Sequence, residues 1–500
     1  MATINPSSGQ GALFELVARG MKDHYFVKDD PSSDFPYHSG YHSATHHLAE
    51  RRTMVPLNQT SFGSSFEVEL DTYGDVMTEC AFEIDLPTWY PRLFYQQQSV
   101  DPQMINQLYS IRSVAGNRSY GYVNSIGYLL FERIQFYQDQ ILIQEWSGDG
   151  LLARDLTEGT WCSSYLSQQV AGNTETVEDT TGERAIQLRA TPGHLKIRLP
   201  LPGMQEPQDQ GLPLCSMSWQ RFRIKATLRK IEDLVVCSDA SIIKPAPWNE
   251  SQGFWYEDEE GGVYTFQPKG FMEIGSPVIH LSTRQHYVPE EVRIQLQEKP
   301  VRIPFRKQFE HVFSIAETDY VPLDKGSSAI LTRRLDGRHP TERLFWFFRN
   351  STRMNTNRLD DFRNEYFDGR ASTITQPYPS AKGAYYYRMK FLVAGKEREE
   401  LYGPDVWRDM TAWAKDERPN GKGIDSMRWS ASHSFRDAAR QPEGTVNFST
   451  ADRPTLYVEL TNIEGNPLKS GQRFAEWRVF SEGWCVYEIE EGRGRLMFAA

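Results

Sequence analysis

The sequence predicts an all-β chain made of two consecutive β domains of the sandwich or jelly-roll type. Three observations predict it. Apolar residues alternate strictly with polar ones in short runs, as strands with one wet face require. That theme pauses and restarts near residue 290. No regular strand-helix alternation supplies the crossovers a parallel sheet would need. The length agrees, because 500 residues are too many for one ordinary hydrophobic core.

The clearest strand is Phe66, Val68 and Leu70 interleaved with Glu67, Glu69 and Asp71. The pattern returns in Phe82, Ile84, Leu86, in Leu195, Ile197, Leu199, and in Phe222, Ile224, Ala226, Leu228, whose neighbours Arg223, Lys225, Thr227 and Arg229 face the other way. The last strand of the first domain is placed near Val278 to Leu281, with Tyr287 to Pro300 as the crossing. Val292, Ile294 and Leu296 read as a strand reopening the β pattern, followed by Leu344 to Phe348, Tyr385 to Val393, Val446 to Phe448, and Leu456, Val458, Leu460. Segments rich in Gly, Pro, Ser, Asn and Gln, namely Pro91 to Gly121, Ser147 to Thr191 and Lys396 to Gln441, read as loops far longer than hairpin turns. Helical spacing is confined to Leu13, Leu16, Val17 and Met21, and to a short helix around Asp405 to Ala414.

Composition narrows the function classes. With 24 Tyr, 27 Phe and 12 Trp, the chain carries enough rigid apolar surface for wide β packing and wide interfaces. A net charge of -11 without a Lys/Arg run lacks the basic footprint of a nucleic-acid binder, so direct nucleic-acid contact is not expected. The cysteines at 80, 162, 215, 237 and 485 show no metal or redox spacing and read as reduced, buried, apolar residues of a cytosolic compartment. There is no basic-then-apolar leader and no run of about 18 apolar residues, so neither secretion nor membrane spanning is expected. The Asn-x-Ser/Thr sequons at Asn58, Asn117, Asn249, Asn350 and Asn447 then read as accidental.

Candidate chemistry is weak. Of His38, His42, His46 and His47, three would share a face if the segment were helical, but Asp34, Pro36, Ser39, Gly40 and Ser43 mark a loop, and no partner ligand is suitably spaced. The acidic run Glu257 to Glu260 reads as a solvated loop rather than a cation site. There is no nucleophile elbow, phosphate loop or His-Glu-x-x-His, and Gly492-x-Gly494 is too short for a dinucleotide fingerprint. No catalytic, cofactor-binding or metal-binding residue is therefore predicted, no cofactor is expected, and the chain is read as not an enzyme. A cupin-type enzyme would require His and carboxylate ligands converging inside a barrel, whereas the histidines cluster outside the best strands.

Several segments, in order along the chain, resemble the major capsid proteins of the nucleocytoplasmic large DNA viruses. They are GALFELVARGMKDHYF at Gly11 to Phe26, then Phe62-Gly63, Tyr73-Gly74-Asp75 and Leu86-Pro87, and then Tyr122 to Leu151 with its closing Gly148-Asp149. HPTERLFWFFRN at residues 339 to 350, EGTVNFS at 443 to 449 and the ending VYEIEEGRGRLMFAA follow. The chain departs from the family where His42, Thr45, His46 and His47 replace a basic Arg-His-Thr-Asn cluster, and where Gln138-Asp139-Gln140 replaces a Gly-Gly-Gln turn.

The resemblance implies two consecutive eight-stranded antiparallel jelly rolls with long inserted loops and few short helices. It divides the chain into an arm over residues 1–24, a first roll over 25–292 and a second over 293–500. It implies a homotrimer whose six rolls form a pseudo-hexameric capsomer of an icosahedral shell. Other implied partners are minor capsid and penton proteins, with an internal viral membrane nearby. The implied location is the virion, assembled in the host cytoplasm. Phe345 to Phe348 and Tyr385 to Tyr387 are candidates for core and intratrimer packing. The alternative is a trimeric β-rich receptor-binding or glycan-binding virion protein, a spike or fibre.

Overall fold

A computed structural model describes residues 49–497, except 58–59, 92–110, 159–175, 179–183, 187–192, 206–210, 218–219, 240, 258–260, 322–328, 361, 363–384, 405, 408–423, 430–443 and 461–472. The first unit contains β1 (Ala49–Pro56), β2 (Ser65–Glu69), β3 (Val76–Asp85), β4 (Phe131–Gln138), β5 (Ile141–Trp146), β6 (His194–Arg198), β7 (Phe222–Leu228) and β8 (Val278–Tyr287). They form two sheets, in the orders β1-β8-β3-β6 and β2-β7-β4-β5, with every neighbouring pair antiparallel.

The second unit contains β9 (Val301–Ser314), β10 (Ile330–Arg334), β11 (Pro340–Arg349), β12 (Arg388–Val393), β13 (Lys396–Tyr402), β14 (Asp425–Arg428), β15 (Thr455–Glu459) and β16 (Glu476–Glu490). Its sheets run β9-β16-β11-β14 and β10-β15-β12-β13, which is the first pattern displaced by eight strands. This winding is the jelly-roll path, and the chain follows it twice. Short strands at Leu212–Pro213, Val446–Asn447 and Arg493–Leu496 add to the sheets, so the sheets are not limited to these main paths.

Alternation builds each core. Phe66, Val68 and Leu70 turn inward from β2 and pack towards β3, where Phe66 meets Phe82 edge-on at 5.9 Å and Phe82 stacks on Phe131 at 5.2 Å. On the wet face, Glu67 pairs with Arg223 at 2.7 Å and Glu69 with Arg221 at 3.1 Å. These exposed cross-strand pairs each contribute at most about 1 kcal/mol and mainly fix register. In the second roll, Leu344, Trp346 and Phe348 meet Met389, Phe391, Leu456, Val458, Trp477 and Val479 in one buried cluster.

Strand direction alternates, so the β1-β2, β3-β4, β5-β6 and β7-β8 connections of the first roll all leave at one end, with the corresponding connections of the second roll at one end of that roll. Hydrogen bonds across the rolls bring these two ends together. Asn124 Nδ2 donates to Asp360 at 3.1 Å, Lys244 N to Asn355 O at 3.0 Å, and Asn357 Nδ2 to the carbonyls of Glu232 and Val235 at 2.6 and 2.8 Å. The two crowns thus form one surface.

Four α-helices occur among the described residues: α1 (Ile126–Leu129), α2 (Gly148–Glu158), α3 (Glu290–Glu298) and α4 (Ser351–Asn355). Two of them correct the sequence reading. The Val292, Ile294, Leu296 alternation is helical in α3, where Val292 and Leu296, four residues apart, are half-buried and Ile294 is 42% exposed. Pro289 precedes α3, and Glu290 and Glu291 in its first turn favour a helix start. The segment from Ser147, read as loop, opens with the largely buried α2. The loop expected from Lys396 to Gln441 contains β13 and β14. The N-terminal helical spacing and arm lie outside the described residues, as does the helix expected around Asp405 to Ala414, apart from Val406 and Trp407.

Candidate functional site

No catalytic centre was predicted, and the most unusual chemistry in the structure lies where the two rolls meet. The seam is first of all apolar. Phe345, Phe347, Phe480, Tyr487 and Ile489 of the second roll belong to the same buried cluster as Phe82, Phe136 and Ile224 of the first. β11 makes this possible because all of its residues are buried. Leu344, Trp346 and Phe348 enter the second roll's own core, and Phe345 and Phe347 enter the shared cluster. Phe347 stacks on Phe362 at 4.0 Å and lies 5.7 Å from Phe480, with the Arg349 guanidinium 4.7 Å above its ring.

Beside this cluster a charged network crosses the seam, and α2 supplies its centre. Gly148 is required there because a Cβ would run into the backbone carbonyls of Tyr128 and Phe131. That close approach seats Asp149 in the first turn, with its side chain fully buried. Its carboxylate meets Arg349 at 2.5 Å, Arg229 at 2.6 Å and Arg478 at 2.8 Å. Arg229 belongs to the first roll, and Arg349 and Arg478 to the second. Glu476 pairs with Arg349 at 3.4 Å and Arg478 at 2.8 Å, and Glu310 with Arg478 at 2.9 Å.

Burial would raise the Asp149 carboxyl, but the three guanidiniums hold it well below the usual carboxylate range. Burial pushes Glu310 up against the opposing pull of Arg478. A second crossing joins Arg154 of α2 to Glu482 at 3.8 Å, and Glu482 also binds Arg343 at 2.6 Å. Glu342 accepts from Trp484 Nε1 at 2.7 Å and lies 3.5 Å from Arg306.

Two sheet ends come side by side here, since β5 ends its sheet and so does β9. Glutamines bridge them. Gln205 both accepts from Arg306 N and donates to Arg306 O, each at 2.7 Å, so its amide acts as a one-residue strand. Gln144, with its oxygen turned towards β9, accepts from Gln308 N at 3.0 Å, and Gln308 Nε2 donates to Gly150 O at 3.4 Å. Above these bridges the rolls diverge into a groove of about 1010 Å³, lined among others by Arg133, Lys230, Lys307, Phe309, His311 and Val312.

This arrangement can hold two sandwiches as one body. Removing one partner from a buried, hydrogen-bonded charge cluster leaves the others unpaired and costs several kcal/mol, so the network resists sliding of one roll past the other. The sequence reading assigned the seam charges no role. Their signal was present in Gly148-Asp149 and in the Glu342, Arg343 and Arg349 of the aromatic strand, charged residues embedded in apolar runs. Phe345 to Phe348, Tyr385 and Tyr386 are buried within the chain, so they pack core and seam rather than a contact between copies; Tyr387 is half-buried.

The histidines at 38, 42, 46 and 47 lie outside the described residues, as do residues 258–260 of the acidic run. Among the described residues no cluster of His, Cys, Asp and Glu could hold a metal ion, and Cys80, Cys237 and Cys485 are buried thiols while Cys215 is half-buried. The sequons at Asn350 and Asn447 are buried.

No protein-family model and no curated protein sequence matches the chain. Solved structures do. VP54 of PBCV-1, fitted into a cryo-EM reconstruction of the virophage Sputnik, is similar with a TM-score of 0.62 at 15% identity, covering 92% of this chain and 99% of that one. A quasi-atomic model of the PBCV-1 virus capsid gives 0.63 at 15% identity with the same coverage. The Faustovirus major capsid protein gives 0.55 at 11% identity, covering 90% and 92%. Over nearly its whole length, therefore, the chain has the fold of these viral capsid proteins, two jelly rolls in one polypeptide.

Proposed function

We propose that the chain is the repeating structural subunit of the icosahedral shell of a large double-stranded DNA virus, a major capsid protein without catalytic activity. The observation that carries this reading is the strand path repeated in one chain and locked across a buried seam. Two rigidly joined rolls are one third of a six-roll ring, and three copies complete it, so a threefold trimer presents six similar corners and can tile a flat facet. The same fold in the PBCV-1 and Faustovirus capsid proteins supports it.

The crown suits contacts between copies. Met272 is 90% exposed, and Ile243, Val263, Tyr264 and Phe271 are exposed along the same β7-β8 connection. Further parts of the proposal are the arm over residues 1–24 and rolls over 25–292 and 293–500. The helical link α3, between β8 and β9, supports a division there. Location in the virion, assembly in host cytoplasm, and contacts with minor capsid and penton proteins beside an internal membrane belong to the same proposal.

Light scattering tests it. The purified 57.7 kDa chain should weigh three times that, about 173 kDa, and concentrated protein should form hexagonally packed sheets. A stable monomer that forms no lattice, or a trimer that binds glycans on an array and forms no lattice, would overturn it.

A further inference from the structure

The groove between the rolls has one unfinished wall. β9 is an end strand, and its even-numbered residues direct their main-chain groups away from β16, as the Arg306 pairing to Gln205 marks. An open edge invites another strand, and this one is closed along part of its length. Pro304 has no N–H to offer, Gln205 covers Arg306, and Gln144 covers Gln308. Among the described residues nothing comparable covers the amides of Glu310 and Val312, where β9 borders the groove.

The charge of the groove is also incomplete. Lys230 and Lys307 line it, and among the described residues no carboxylate pairs with either. The acids of the lining are engaged elsewhere: Glu145 with Arg133 at 3.5 Å, Asp233 with Lys244, Glu310 with Arg478 at 2.9 Å, and Asp336 with Arg334 at 3.3 Å. Glu132 remains, exposed on the outer face of β4. One further donor is unused, since Arg229 Nε is buried without a partner. His311 Nε2 already accepts from Asp336 N at 3.0 Å. Burial pushes the Lys307 ammonium down and Arg338 adds to this, a strain that a carboxylate beside it would relieve.

We propose that this groove docks an extended, acidic peptide segment of a partner protein, its main chain adding to β9 at Glu310 and Val312 and its carboxylates meeting Lys230 and Lys307. The volume of about 1010 Å³ far exceeds the needs of a single small anion. Leu142, Phe309 and Val312 offer apolar wall for the alternate side chains of a strand. The proposal does not depend on the capsid reading, because it rests on the edge and the charges alone.

The test is fluorescence anisotropy on the full chain, with labelled eight-residue peptides as probes. A peptide alternating Glu and Val should bind, and its Lys/Val counterpart should not. The charge-reversed protein with Lys230→Glu and Lys307→Glu should bind about tenfold more weakly or less, whereas Lys230→Arg with Lys307→Arg retains binding. N-methylation of alternate peptide amides, which removes strand pairing and leaves the protein untouched, should weaken binding by about tenfold. Unchanged binding of the N-methylated or Lys/Val peptide, unchanged binding by the charge-reversed protein, or displacement by millimolar inorganic phosphate would each overturn the proposal. If the charge-reversed protein fails to fold, the peptide comparisons on the unaltered chain decide.

Discussion

Replacing Asp149 by Asn tests the seam most directly. The substitution keeps the shape of the side chain and removes the charge that meets Arg229, Arg349 and Arg478 at 2.6, 2.5 and 2.8 Å. Breaking a buried charge cluster by deleting one member costs about 3–5 kcal/mol. Glu476 stays within 3.4 Å of Arg349 and 2.8 Å of Arg478, and Glu310 stays with Arg478, so two of the three guanidiniums keep a partner. The expected loss is therefore at the lower end, about 3 kcal/mol. Urea unfolding followed by tryptophan fluorescence measures it, and the variant should also show two separated transitions as the rolls uncouple.

The pH dependence gives an independent sign. The Asp149 carboxyl is depressed in the folded chain by the three guanidiniums despite its burial. Its stabilisation is full above the unfolded value of about 3.9 and is lost as pH falls from there towards the folded value. The stability gap between the natural chain and Asp149→Asn should be constant from neutral pH to about pH 5 and narrow below about pH 4. A cost under about 1 kcal/mol at neutral pH, or a gap that widens in acid, would refute the argument that this network locks the rolls.

Other expectations follow from the same seam. Phe347→Ala empties the space between Phe362 and Phe480 and should cost about 3–5 kcal/mol in urea unfolding; a cost below about 1 kcal/mol would mean that Phe347 is not packed between these two rings. Gln205→Ala removes both hydrogen bonds to Arg306 and should cost only about 1–2 kcal/mol. It should nevertheless raise irregular self-association in dynamic light scattering, because a length of strand edge is uncovered. No rise in association would show that Gln205 does not guard the edge.

How much was legible in the sequence depended on how many faces of a strand are wet. β2, β6 and β7 each present one face to solvent, so their apolar residues alternate and could be read one by one. β11 is buried throughout and β16 nearly so, because one side feeds the second roll and the other feeds the seam. The sequence reading gave their charged residues no place. In fact Arg343, Arg349 and Glu482 are among the most buried charges in the chain. α3 was misread because a five-residue alternating stretch is also compatible with an i, i+4 face, and only its exposure distinguishes the two.

By itself the sequence determined the class of the protein. Alternating apolar residues, the pause near residue 290 and the ordered family-like segments require two antiparallel β domains, since period-two patterning is a local property that each strand carries alone. The tertiary structure decided how the domains are joined. Which carboxylate meets which guanidinium, which glutamine closes which strand edge and where a groove is left open depend on residues far apart in sequence, such as Asp149 and Arg478. Those pairings exist only once both rolls have folded and their surfaces exclude water between them, and no local pattern records them.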